Sequence, residues 1–324
     1  MGRVVHAFRS RRFRIAFNGL FVAGALTAGT LTALHFVHTG WPLKKADPLF
    51  LAAAGALFVA AYAFKAWGWQ RLFAPDERPK ALTLAAAGGA ASVGGVALPG
   101  RFDEAIRIAV VRRLPGKHVG FGALALTIIV VGLLDSAALT PAASIAAAAS
   151  KKGGVQAGFA LVAAAGLAAA LVVFFLPRLA RIGIVARFKL GRWIQDHCAC
   201  RRSASQAWLL ISVSWALRGV AVFLLLQALA VGASFPLALA FLCASAASAA
   251  LPIAPAGAAT QAGAGAAILY LSGVPKADAV AFGLAAQAMI ILAGAACVAF
   301  AGAWHLGGRL RRRPQDARLV RASV

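Results

Sequence analysis

Two ionisable side chains stand inside long apolar runs, where a charge is costly and marks a candidate functional residue by default. Arg218 lies about midway along Ala207–Val231 (AWLLISVSWALRGVAVFLLLQALAV), with neither end near enough for its side chain to reach water easily. Asp135 lies in the outer half of Val119–Ala142, within VVGLLDSAALT. Paired with each other, the two would be neutralised and would only fix helix register. Alternatively, Arg218 receives the phosphate or carboxylate of a headgroup that crosses the bilayer. The planar guanidinium fork suits that task, because it pairs bidentately with phosphate oxygens. The sequence leaves both readings open.

The strongest local signal is LPIAPAGAATQAG, Leu251–Gly263. Pro252 and Pro255, followed by Gly257, must break a helix in mid-membrane. The backbone groups freed there need partners from protein or from a water-lined cavity. A helix restarting near Gly257 would aim its N-terminal amides at that cavity and favour an anion. Thr260 and Gln261 would add neutral donors. A plain structural kink is the other reading. GGVALPGR (Gly94–Arg101) and ASAALPIAPAG (Ala247–Gly257) both place Leu-Pro after small residues, in opposite halves of the chain. Paired interrupted segments of this kind predict an inverted repeat with a site near the bilayer midplane.

Other polar residues have blander readings. Lys65 and Arg71, with Trp67 and Trp69 between them, read as an interfacial belt, with headgroup capture as the alternative. Gln227 and Gln287 read as helix-to-helix hydrogen bonders. His35 and His38, three residues apart, do not make a metal site. His197-Cys198-Ala199-Cys200 lacks the second ligand pair of a zinc centre. Cys243 and Cys297 read as small core residues. There is no GxxxxGK[ST], HExxH or GxSxG, and only nine acidic residues are available for acid–base chemistry. No cofactor, metal or catalytic residue is expected.

The elements that must position these groups follow from composition. Of 324 residues, 61% are hydrophobic and 13% charged, and mean hydropathy is +0.82. A water-soluble domain cannot bury so much apolar surface. The apolar runs are continuous rather than alternating, which predicts an all-α polytopic membrane protein and not a β-barrel. The net charge of +24 fits basic cytoplasmic loops and anionic lipid headgroups better than nucleic acid. Candidate spans are Ile15–Val37, Pro48–Trp69, Ala81–Leu98, Val119–Ala142, Val155–Leu176, Ala207–Val231, Pro236–Leu251, Gly257–Leu271 and Ala277–Trp304. Ile15–Val37 is too long for the apolar core of a signal peptide and is expected to be an uncleaved first span.

Five basic residues in the N-tail (1–14), seven in the loop Pro177–Arg202 and six in the C-tail (306–324) place all three in the cytoplasm. Ala81–Gly100, with two Gly pairs and a Pro-Gly end, is expected to be re-entrant. That keeps Arg101, Arg107, Arg112, Arg113 and Lys117 inside and leaves eight spans. Arg101–Leu114 reads as an amphipathic cytoplasmic helix. Phe102, Ile106, Ala109 and Val110 would form its apolar face, and Asp103 and Glu104 sit in its first turn. A solvated loop helix is the alternative. One transmembrane domain is expected over residues 15–305.

These residues resemble the lysylphosphatidylglycerol synthase transmembrane-domain family, which includes the flippase half of the bacterial multiple-peptide-resistance factor. The resemblance rests on Leu98-Pro99-Gly100-Arg101 with Arg107, Arg112 and Arg113, then Asp135 in the following span. Pro252, Pro255 and Gly257 match the family's P-x-x-P-G-G-x-G-x-x-E stretch, and Gly273–Leu284 resembles its link into the last span. It covers roughly residues 10–305. Ala256, Ala259 and Ala262 stand where the family has Gly, Gly and Glu. Val131 and Gly132 stand where it has a Glu-Arg pair.

The resemblance implies a bacterial inner-membrane protein that translocates an anionic or polyprenyl-phosphate-linked lipid. Arg101 and Arg107 would gather the headgroup. Pro252, Pro255, Gly257, Thr260 and Gln261 would line the cavity, and Arg218, balanced by Asp135, would carry the charge. Two other expectations stand beside it: a scaffold for a lipid-modifying enzyme, and an integral-membrane transferase on a lipid carrier.

Overall fold

The computed structural model describes residues 38, 46–97, 102–113, 119–179, 200–232, 234–250 and 257–322. Among them the regular elements are helices: α1 (Pro48–Gln70), α2 (Ala81–Ala97), α3 (Phe102–Arg113), α4 (Phe121–Ala149), α5 (Gly153–Leu179), α6 (Arg201–Ala228), α7 (Phe235–Ala250), α8 (Gly257–Leu271) and α9 (Lys276–Ala322). The all-α polytopic expectation is met. Five are long and apolar enough to cross a membrane: α1, α4, residues Gly153–Phe175 of α5, α6, and residues Lys276–Gly307 of α9. The expected first span Ile15–Val37, the N-tail and most of the basic loop lie outside the described residues.

The short helices explain the architecture. At about 1.5 Å per residue, helices of 15–17 residues rise only about 22–25 Å, short of the ~30 Å hydrocarbon core. They fold back on one another instead. α3 returns along α2, with Gly94 against Ile106. α8 returns along α7, with Gly265 against Phe241 and Ser245. Pro236–Leu251 and Gly257–Leu271, expected as two crossing spans, are thus the two arms of one hairpin. Arg101–Leu114 was expected at the surface, but its described part, α3, is likewise an arm of a hairpin. Val111 is buried on it and Ile108 and Val110 pack inward, whereas Ala109, expected on the apolar face, is exposed.

The hairpins come in from opposite ends of the bundle. α6 runs antiparallel to α1: Gly68 abuts Ala207 and Ile211, Ser214 Oγ donates to the Ala61 carbonyl at 2.8 Å, and Asp47 N–H donates to the Ala228 carbonyl at 3.0 Å. α4 is also antiparallel to α1, with Trp69 Nε1 donating to Thr127 Oγ1 at 3.1 Å and Lys65 reaching Asp135. α9 runs parallel to α1, pairing Gly55 with Met289 and Tyr62 with Gly294. α2 starts at the Gln70 end of α1, where Gln70 Nε2 donates to the Pro79 carbonyl at 2.7 Å. α7 starts at the Ala228 end of α6 and folds back so that Leu239 and Leu242 face Gly219.

The order long helix, hairpin, long helix therefore occurs twice, in opposite directions: α1, α2–α3, α4 and α6, α7–α8, α9. The first hairpin packs on α9 and the second on α4, which interlocks the halves. Leu98-Pro99 and Leu251-Pro252, each between the two arms in the sequence, lie outside the described residues. The expected inverted repeat is present in the packing.

Close helix approach is what small residues provide where lipid supplies no hydrophobic drive between helices. A Cβ at Gly89 on α2 would strike the Gly294 carbonyl on α9. The outward faces carry exposed Leu161, Leu167, Leu171, Phe300 and Trp304, as a lipid-facing surface must. Gly89→Leu is expected to unseat the first hairpin at a cost of at least ~1–3 kcal/mol. A fall in melting temperature in detergent, larger than that of Gly263→Leu, which meets open space, checks it.

Candidate functional site

A small, partly open cavity of about 50 Å³ lies between α1, α6, the second hairpin and α9. Its apolar wall includes Phe58, Val222, Phe241, Leu242 and Ile290. Its polar groups are Trp215 and Arg218 from α6, Ser245 from α7, Gln261 from α8 and Gln287 from α9. Arg218 is the charged residue of that lining. Ser245 Oγ donates to the Gln261 carbonyl at 3.0 Å, which ties the two arms together beside the cavity.

Arg218 and Trp215 are three residues apart on α6 and share a face. The guanidinium carbon stands 5.0 Å from the Trp215 ring centroid and 5.5 Å from that of Tyr62 on α1. Two aromatic faces so placed stabilise the cation by their quadrupoles and fix its plane. Tyr62 is itself anchored: its hydroxyl is 2.5 Å from Ser92 Oγ on α2 and 3.4 Å from the Ile290 carbonyl on α9. The arginine is thus seated on a ring that touches the first hairpin while it faces the second.

Asp135 is occupied elsewhere. Lys65 Nζ lies 2.6 Å from its Oδ2, and Trp215 Nε1 donates to its Oδ1 at 2.9 Å. Lys65 and Asp135 are 21% and 19% exposed, so the pair is well removed from bulk solvent. A carboxylate with both oxygens bonded is satisfied, which withdraws an acceptor that could otherwise engage Arg218. The pairing of Arg218 with Asp135 weighed from sequence is therefore replaced by Lys65–Asp135. Arg218 has no carboxylate partner among the described residues. Trp215 touches both groups, through its N–H to Asp135 and its ring to Arg218.

The remaining sequence candidates divide. Arg107 on α3 bonds Asp103 one turn earlier at 3.4 Å and is near enough, like Arg218, to act electrostatically on Lys65. Gln261 lines the cavity and Gly257 begins α8, as expected from Leu251–Gly263. Thr260 is half-buried on the same turn but outside the lining. Arg101, Pro252 and Pro255 lie outside the described residues. Gln287, read as a helix-to-helix bonder, lines the cavity.

Sequence reasoning missed Tyr62 and Trp215 and read Lys65 as a belt residue. The available signal was the spacing Tyr62, Lys65, Trp69, which puts all three on one face of α1. Trp69 is buried and bonded to Thr127, whereas Trp67 is 45% exposed and remains consistent with a belt. No group of three metal-ligating side chains occurs among the described residues.

What this arrangement can do chemically is hold an anion. A guanidinium flanked by two aromatic rings lines a partly open space together with neutral hydrogen-bonding groups. No curated protein matches the chain. The pattern of the family described as the lysylphosphatidylglycerol synthase TM region matches residues 17–299. With a multi-pass all-α fold and most of its length covered by that match, the chain belongs to the lysylphosphatidylglycerol synthase transmembrane-region family.

Proposed function

We propose that this protein moves an anionic or polyprenyl-phosphate-linked lipid between the leaflets of the bacterial inner membrane. The observation that carries the reading is Arg218: a cation within a membrane-spanning helix, lining an open cavity and stacked on Tyr62 and Trp215. A charged residue at the centre of a spanning helix costs about 2.5–3.5 kcal/mol on insertion scales. With Asp135 committed to Lys65 and Trp215, a phosphate arriving with the lipid is the group that would offset this cost.

The two hairpins suit alternating access. They come in from opposite ends, and the second forms part of the cavity wall. Small movements of one interlocked half against the other would open the space first to one leaflet and then to the other. The acyl chains stay in the bilayer, and only the headgroup needs the polar path. Arg107 on the first hairpin would draw headgroups toward it. The basic end of the bundle, with both tails, would face the cytoplasm. The sequence has no nucleotide-binding P-loop, so transport would run downhill or with an ion gradient. Membrane lipids are the partners, and nucleic acid, metal and cofactor play no part.

Reconstitution with fluorescent lipids tests this. An impermeant reductant should quench well beyond the outer-leaflet half in liposomes carrying the protein, and Arg218→Ala should return quenching to the plateau of empty liposomes. Arg218→Lys, which keeps the charge and loses the fork, should fall between them. Unchanged transfer in Arg218→Ala would refute the site. The Lys65–Asp135 pair has its own signature. Lys65→Met strands a carboxylate, and the expected loss is about 3–5 kcal/mol of stability together with slower transfer, because Asp135 becomes free to engage Arg218. Lys65→Met/Asp135→Asn should recover most of both. Melting in detergent and the quenching rate, read on the single and double variants, check it.

A further inference from the structure

The cavity's charge inventory narrows the headgroup. Among the described residues it offers one cation, Arg218, and three neutral hydrogen-bonding side chains, Ser245, Gln261 and Gln287. Among the described residues the lining is free of Asp and Glu. Asp135, bonded to the cavity residue Trp215 through one oxygen, has its other oxygen on Lys65. Ala262, a methyl group, forms the wall next to Gln261.

We infer that the cavity selects headgroups that combine a phosphate anion with hydroxyl groups and bear no amine. This inference rests on the translocation reading above and gives its substrate class. The phosphate meets the guanidinium. Hydroxyls, which both donate and accept, match a serine hydroxyl and two carboxamides. An ammonium finds no acceptor charge, must shed water in a low-dielectric space, and stands beside Arg218 as a like charge. Phosphatidylglycerol and a polyprenyl-phosphate hexose share this chemistry, whereas phosphatidylethanolamine and aminoacylated lipids do not.

The test reads binding and transfer separately on the purified full-length protein. Binding is measured by native mass spectrometry with phosphatidylglycerol, a polyprenyl-phosphate hexose and phosphatidylethanolamine. Transfer is measured by quenching of the acyl-labelled phospholipids in liposomes. The expected result is binding of one or both hydroxyl-bearing lipids, lost in Arg218→Ala, with phosphatidylethanolamine about tenfold weaker or more. Which of the two hydroxyl-bearing lipids binds identifies the source. Gln287→Glu, nearly isosteric and placed in the wall, should narrow the gap by giving the amine a partner. Ala262→Glu should do the same, and serves if Gln287→Glu does not fold.

Arg218-dependent selection without transfer would support the headgroup class and refute translocation. Transfer that treats phosphatidylethanolamine and phosphatidylglycerol alike would keep translocation and overturn the inference. Absence of Arg218-dependent binding by any of the lipids would overturn both.

Discussion

Every charge that this protein places inside the bilayer has to be answered there, and the contact between Lys65, Asp135 and Trp215 is where most of the answering is done. It joins α1, α4 and α6 at one point. Its geometry decides which cation meets the carboxylate and which does not. Lysine, a compact point charge on a flexible stem, is bound to the carboxylate. Arginine, whose flat fork recognises phosphate, is laid on aromatic rings and keeps its edges open. The reverse assignment would bury the better phosphate ligand in a salt bridge. The Trp215 indole enforces the division, since its N–H engages Asp135 while its ring supports Arg218.

The backbone imposes a second constraint of the same kind. Lipid offers no hydrogen bonds, so a helix that stops halfway must expose its end groups to protein or to a cavity. Two hairpins, packed on each other's long helices, solve this from both ends of the bundle. Their arms touch through Gly94 with Ile106 and Gly265 with Phe241, and the first seats on α9 through Gly89 and Gly294. The small-residue richness of the chain is thus a packing requirement at particular places and not a general feature of its composition. The Ser245–Gln261 bond ties the arms of the second hairpin together beside the cavity.

The sequence was legible where one physical rule dominated. Long apolar runs predict spanning helices, and α1, α4, α5, α6 and α9 are long and apolar enough to cross a membrane. The Gly-rich Ala81–Gly100 segment could not span because it is short and interrupted, and its described part, α2, pairs with α3. The same reasoning applied to Pro236–Leu251 and Gly257–Leu271, yet each read as a separate span because hydropathy carries no information about whether two short apolar helices run on or fold back. The Leu-Pro match between the halves was the clue that they should be treated alike.

Pairing was harder to read than placement. Asp135 and Arg218 were identifiable from their positions, but which cation meets the acid depends on helix rotation, and hydropathy does not fix rotation in an Ala-rich chain. The face shared by Tyr62, Lys65 and Trp69 did fix it for α1, since burying Trp69 against Thr127 turns Lys65 toward α4. Once that rotation is set, Asp135 is taken, Tyr62 turns to α6 and α9, and Arg218 is left with rings beneath it and the cavity before it. The unpaired arginine is therefore a consequence of helix packing decided one turn away, on the other side of α1, rather than an isolated feature of α6.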